Sequence, residues 1–182
     1  MEKSNKLKPK EKEYIARCIG RAHKKNNKLF DDNNFKLEFG KCHMVWNFIY
    51  SNLAHTFRNN NKFIVGSIKN VSWNQIYVYN KFTKQLYIVV SENTFKKVIN
   101  QKNKSHLIAL FANINDGNID KIPSKYKDEL NKDGNKIIPK RSTLITFKYN
   151  KSIRRIFYKY KVITPDLIEV QSEELYESQD FN

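Results

Sequence analysis

Cysteine is scarce in this 182-residue chain: Cys18 and Cys42 are the only two. That is too few for a disulfide framework, and Cys42–His43 has no second Cys/His cluster to complete a zinc site. Five glycines leave no glycine-rich loop to cradle a phosphate. No apolar run approaches the roughly 20 residues of a membrane-spanning helix. The opening "MEKSNKLKPKEKEYI" is charged and has no apolar core, so no secretory signal is read there. These absences favour a cytoplasmic protein with reduced thiols and no membrane partner. Acid is missing where a metal-dependent nuclease would need it: the apolar segments between 62 and 90 contain no Asp or Glu. No catalytic residue, metal or cofactor is therefore expected.

Positive charge is what the chain has in excess, +16 overall, and its layout is uneven. Residues 1–30 hold ten basic and three acidic side chains. Residues 142–163 hold six basic side chains and no acid, whereas 164–182 hold six acids and no base. Set that acidic end aside and the remainder carries +22. Such asymmetry points to a polyanionic partner. A chain rich in lysine and asparagine also follows from an AT-rich genome, an alternative that composition leaves open.

Apolar spacing sets the expected architecture. Residues 1–10 read as a disordered basic arm. Ile15, Ile19 and Ala22, with Tyr14 and Cys18, recur at helical spacing over 11–26. In "KCHMVWNFIYSNLAHTFR", Val45, Trp46, Ile49, Leu53 and Phe57 form one stripe of a second helix. The period then changes to two. "KFIVGSIK", "NQIYVYN" and "QLYIVV" predict three strands of an antiparallel meander. Ser91 is a good N-cap for the helix "SENTFKKVIN", and "SHLIALFANIN" continues as another. Residues 115–141 read as a long polar excursion. "STLITFKY" and "SIRRIFYKYKVI" then form a hairpin across Asn150–Lys151, and "DLIEV" adds a short final strand. The fold class is α+β: N-terminal helices, a three-stranded meander, a helical insert and a C-terminal β-hairpin. One domain spans 11–171, followed by an acidic tail over 172–182.

Within "NKSIRRIFYKYKVITPD", strand alternation places Ile156, Tyr158, Tyr160 and Val162 on one face and Arg155, Phe157, Lys159 and Lys161 on the other. A two-residue turn sets Ile145 opposite Ile156 and Thr143 opposite Tyr158, and adds Lys148 to the cationic face. Side chains two apart on a strand stand about 6.7 Å apart, near the phosphate spacing of an extended nucleic-acid strand. An aromatic ring among them can stack a base. Lys148, Arg155, Phe157, Lys159 and Lys161 are thus the expected nucleic-acid contacts. Lysines on an edge strand also prevent aggregation.

His23, His43, His55 and His106 are the only histidines. His43 and His55 fall about 120° apart around one helix, poor placement for a shared metal. Arg17 and His23 in "RCIGRAH" match a spacing found on one helix of some all-helical ribonucleases, a short motif easily met by chance.

Several segments, taken in order, resemble an uncharacterised family of low-GC Gram-positive bacteria and their mobile elements. They are "HMVWNFIYSNL", the tryptophan-led "SWNQIYVYNKFTKQLYIVVSENTF", the histidine-led "SHLIALFANIN" and "STLITFKYNKSIRRIFYKYKVITPDLIEVQSEEL". The resemblance implies a helix–meander–helix–hairpin plan and a phage–host setting. It marks Trp46, Trp73 and His106, the tryptophans as core residues and His106 as a helix cap or ligand contact. No established activity comes with it.

The function expected is non-enzymatic binding of nucleic acid, RNA or DNA, or of a protein–RNA complex. Its most concrete form is inhibition of a host defence nuclease that is RNA-guided, an anti-CRISPR-like role. The alternative is a small metal-independent, toxin-like ribonuclease using histidines and lysines for acid–base cleavage.

Overall fold

The computed structural model describes residues 7–33, 39–69, 74–134, 136–150, 152 and 155–177. Among them are five α-helices and one mixed six-stranded sheet. Helix α1 (Pro9–Asp32) opens with proline in its first turn, where the missing N–H costs nothing. The Lys8 amide donates to Glu11 Oε2 at 2.8 Å, closing the helix start. The expected arm is therefore already ordered here. Leu7 is buried and residue 9 is helical, so only residues 1–6 of it lie outside the described residues.

Ile15, Ile19, Ala22 and Asn26 line the buried side of α1, and Val45, Ile49, Leu53 and Phe57 that of α2 (Phe39–Phe57). Each Ile, Leu, Val or Phe side chain so buried contributes roughly 1.5–3 kcal/mol. Two side-chain amides join the helices: Asn26 Nδ2 donates to Lys41 O at 3.0 Å and Asn52 Nδ2 to Cys18 O at 2.9 Å.

The strands are β1 (Phe63–Lys69), β2 (Asn74–Asn80), β3 (Gln85–Ser91), β4 (Arg141–Asn150), β5 (Arg155–Ile163) and β6 (Glu169–Glu177). They lie side by side in that order. Neighbours are antiparallel except β3 and β4, which are parallel from Gln85↔Arg141 to Ser91↔Phe147. The expected meander and hairpin are thus halves of one sheet. The helical insert is the crossover that a parallel pair demands. It holds α3 (Glu92–Asn100), α4 (Leu107–Ala112) and α5 (Ser124–Leu130).

Both faces of the sheet are covered. Ile76, Val78, Tyr87, Val89, Ile145, Ile156 and Tyr158 pack with α1 and α2. Tyr77, Tyr79, Leu86, Ile88, Val90 and Leu144 pack with residues of α3, α4 and α5. The expected excursion 115–141 is likewise folded, anchored by buried Ile122, Tyr126, Leu130 and Ile137. Ile122, Tyr126 and Leu130 recur every four residues, a helical spacing within polar sequence, and Tyr126 and Leu130 are the buried side of α5.

The hairpin pairs Tyr149 with Ile156 and Ile145 with Tyr160, because its connection spans 151–154 and not two residues. The expected pairing of Ile145 with Ile156 is off by an even number of positions, so the two faces survive the correction. The acidic tail expected from 172 is a strand as far as 177: β6 pairs antiparallel with β5 and takes its place at the sheet edge. Residues 178–182 lie outside the described residues.

Gly66 pairs with Tyr77, and a Cβ at residue 66 would run into the tyrosine ring and hydroxyl. Gly66→Val should therefore destabilise the domain by about 1–3 kcal/mol, as overpacking does. Urea denaturation of the variant measures this, and an unchanged midpoint would mean that the ring does not lie over Gly66.

Candidate functional site

The end of β4 and β5 extends past Ser91, where β3 stops and α3 turns away. Register puts Lys148 opposite Phe157, Thr146 opposite Lys159 and Asn150 opposite Arg155, all on the α3 side of the sheet. Lys148 is exposed, Phe157 is 37% exposed, and Arg155 and Lys159 are half-buried. Four of the five expected contacts are thus brought together.

Lys161 is not among them. It is 7% exposed, donates to Glu169 Oε2 at 2.8 Å, lies 3.8 Å from Glu92 Oε1 and sits over the Phe95 ring. The first turn of α3 covers the sheet at this point, so Lys161 ties β6 to α3 and meets no outside ligand. The acidic β6 lies alongside the basic strand, with Glu174 opposite Lys159 and Glu173 opposite Tyr160.

A longer basic surface lies on α1. Lys10, Arg21, Lys24, Lys25 and Lys28 are exposed, together with Tyr14. Positions 10, 14, 17, 21, 24 and 28 recur every three or four residues, opposite Ile15, Ile19, Ala22 and Asn26. At about 1.5 Å per residue this stripe runs roughly 27 Å. Arg17 on the same stripe is paired with Glu13. The sequence carried this signal in its spacing, although the basic residues of 1–10 were read as an arm.

His23 stacks on Tyr149, with centroids 5.2 Å apart, and meets Phe147 edge-on at 5.5 Å. Its Nε2 is buried without a partner, and burial pushes its pKa from 6.5 down to about 4. The imidazole is neutral at pH 7 and packed as an apolar ring, so the Arg17/His23 spacing forms no catalytic pair. The Cys18 thiol is buried against Thr56, and burial raises its pKa. His55 lies exposed near the end of α2. Among the described residues no group of three or more His, Cys, Asp or Glu gathers where it could hold a metal ion.

Sequence reasoning missed a cleft of about 580 Å³ beside the C-terminal end of β3. His43 and Trp46 of α2, Gln75 of β2, Thr94 and Lys97 of α3, and His106 are in its wall. His106 caps α4, its Nδ1 accepting from the Ile108 amide at 3.3 Å, and burial lowers its pKa. The cap expected of His106 is thus present. Trp46, expected in the core, is half-buried: it packs against Phe147 and also faces the cleft. Trp73 lies outside the described residues.

Residues 4–159 match a family of unknown function, DUF5986. The chain belongs to that family. Comparison with curated proteins gives no match, and neither does comparison with solved structures. Every residue of the cleft wall lies within the matched span, as does most of the basic hairpin; Lys161 and β6 lie beyond it.

The His23 environment sets a pH dependence. A histidine whose folded pKa lies below its unfolded value adds stability that is complete above about pH 6.5 and lost as pH falls towards 4. At 1.36 kcal/mol per unit, about 2 kcal/mol of it should be gone by pH 5. His23→Phe keeps the stacking and removes the titration. The fall in melting temperature between pH 7 and pH 5 should shrink in this variant. An equal fall in both proteins would place His23 in water.

Proposed function

We propose that the protein is a non-enzymatic binder of nucleic acid or of a nucleoprotein. The observation that supports this best is the solvent face of α1, basic from Lys10 to Lys28 and interleaved with Tyr14. Cations at this spacing suit a phosphate backbone, and an exposed ring among them suits an unpaired base. Lys148, Arg155, Phe157 and Lys159 extend the cationic surface on the other side of the sheet. The partner setting follows the resemblance to proteins of low-GC Gram-positive bacteria and their mobile elements. There, in the cytoplasm, the sharpest form of this reading is inhibition of a host RNA-guided nuclease, the basic surface holding guide RNA.

One observation favours a second reading, metal-independent ribonuclease action: His43, His106 and Lys97 share a cleft. Against it, His106 Nδ1 already accepts a backbone N–H, so it is no general base without uncapping α4. RNA incubated with the protein in chelator should stay intact; cleavage abolished by His43→Ala would move the function to this reading.

The binding itself is tested by anisotropy of a labelled single-stranded RNA across a salt series. Arg21, Lys24 and Lys28 changed together to Ala should lower the log–log salt slope by about 2, at about 0.7 per phosphate contact. The Lys148, Arg155 and Lys159 triple variant should lower it less, since acidic β6 runs alongside. Unchanged slopes in both folded variants would refute the proposed surfaces.

A further inference from the structure

The cleft exists because the sheet divides at one end. β2 and β3 pair only from Tyr77↔Ile88 to Asn80↔Gln85. Before Tyr77, β2 stays with β1 as far as Asn74↔Lys69. After Ile88, β3 stays with β4 as far as Ser91↔Phe147. At the parting, Gln75 does what the ladder no longer does: its Nε2 donates to Val89 O across the gap. That bond fixes the orientation of the amide, and Oε1 is left buried without a donor. Gln75 is 1% exposed and stands in the cleft wall. A buried acceptor without a partner is costly in any fold. Because Gln75 lines the cleft, a ligand N–H that reached Oε1 would supply the missing bond.

The rest of the wall narrows the ligand. Trp46 offers a flat apolar surface, Lys97 an exposed ammonium, and His43 and His106 two imidazoles. Among the described residues no Asp or Glu lines the cleft, so none of them favours a cation there. The volume lies within the range of small-ligand sites. We propose that this cleft binds one nucleotide, its base against Trp46, a base N–H donating to Gln75 Oε1 and its phosphate beside Lys97. This deepens the nucleic-acid reading and rests on it only for the source of the nucleotide, which is either the end of a bound strand or a free mononucleotide.

Titration calorimetry and amide NMR with AMP, CMP and adenosine test it on the whole chain. AMP or CMP should bind once per chain and shift the Gln75 side-chain amide signal. Gln75→Leu should weaken binding at least tenfold. Lys97 is exposed, so Lys97→Ala leaves the fold intact and should weaken AMP several-fold while leaving adenosine unchanged. If a strand end is the source, a tetranucleotide should bind more tightly than AMP and displace it. If free mononucleotide is the source, the tetranucleotide should not displace AMP. Binding indifferent to both substitutions would overturn the site. A chain that binds RNA with its full salt slope but no mononucleotide would overturn the cleft and leave the α1 surface standing. Loss of both would remove both.

Discussion

The parallel pairing of β3 with β4 obliges the chain to travel back along the sheet before β4 can begin. Residues 92–140 make that journey and cover one face of the sheet with α3, α4 and α5. α1 and α2 cover the other. With helices on both sides, the middle of β2 and β3 must be apolar on both faces, and the two strands are buried throughout except at their outer ends. The same pairing sets the cleft. β3 follows β4, β2 follows β1, and the gap between them opens beside the C-terminal end of a parallel strand, a place where open sheets commonly hold ligands.

Charge is partly matched within the fold. Lys12, only 8% exposed, bonds Glu173 at 2.7 Å and lies over Tyr160, while Lys161 bonds Glu169. The first pair attaches the acidic edge strand to α1 on one face; on the other, Lys161 links it to Glu92 of α3. Removing the glutamate from such a pair leaves a largely buried ammonium without its counter-charge. Acid concentrated at the end of the sequence thus works as an internal counter-charge at the sheet edge. The solvent face of α1 lies on the opposite side of the helix from Lys12, Ile15 and Ile19 and is basic from Lys10 to Lys28.

Much of this was legible in order along the chain. The helical stripe of Val45, Ile49, Leu53 and Phe57 declared α2, because burial on one helix face repeats at the helical period, while β2 and β3, covered on both sides, showed as short runs rich in apolar residues. Ser91 and His106 announced helix starts and cap them. What stayed hidden depended on contacts distant in sequence. Nothing near Lys161 indicates that Glu92 and Phe95 will close over it. Nothing near Gln75 indicates that its amide will bridge to Val89. Ile122, Tyr126 and Leu130 do recur at helical spacing, but Gly117, Pro123 and Gly134 around them make the segment read as an excursion, yet each is buried. The candidate site was half legible: the basic hairpin could be read from alternation, whereas the cleft is a product of strand divergence.

The polyanion proposed as partner would lie on the outer face of α1. Hydrogen–deuterium exchange of the whole chain, with and without a single-stranded RNA at low salt, tests it most directly. Exchange should slow chiefly in α1 between Lys10 and Lys28, with a smaller effect at 148–159 and none in α5. Protection confined to the crossover helices, or none anywhere with RNA in excess, would contradict it.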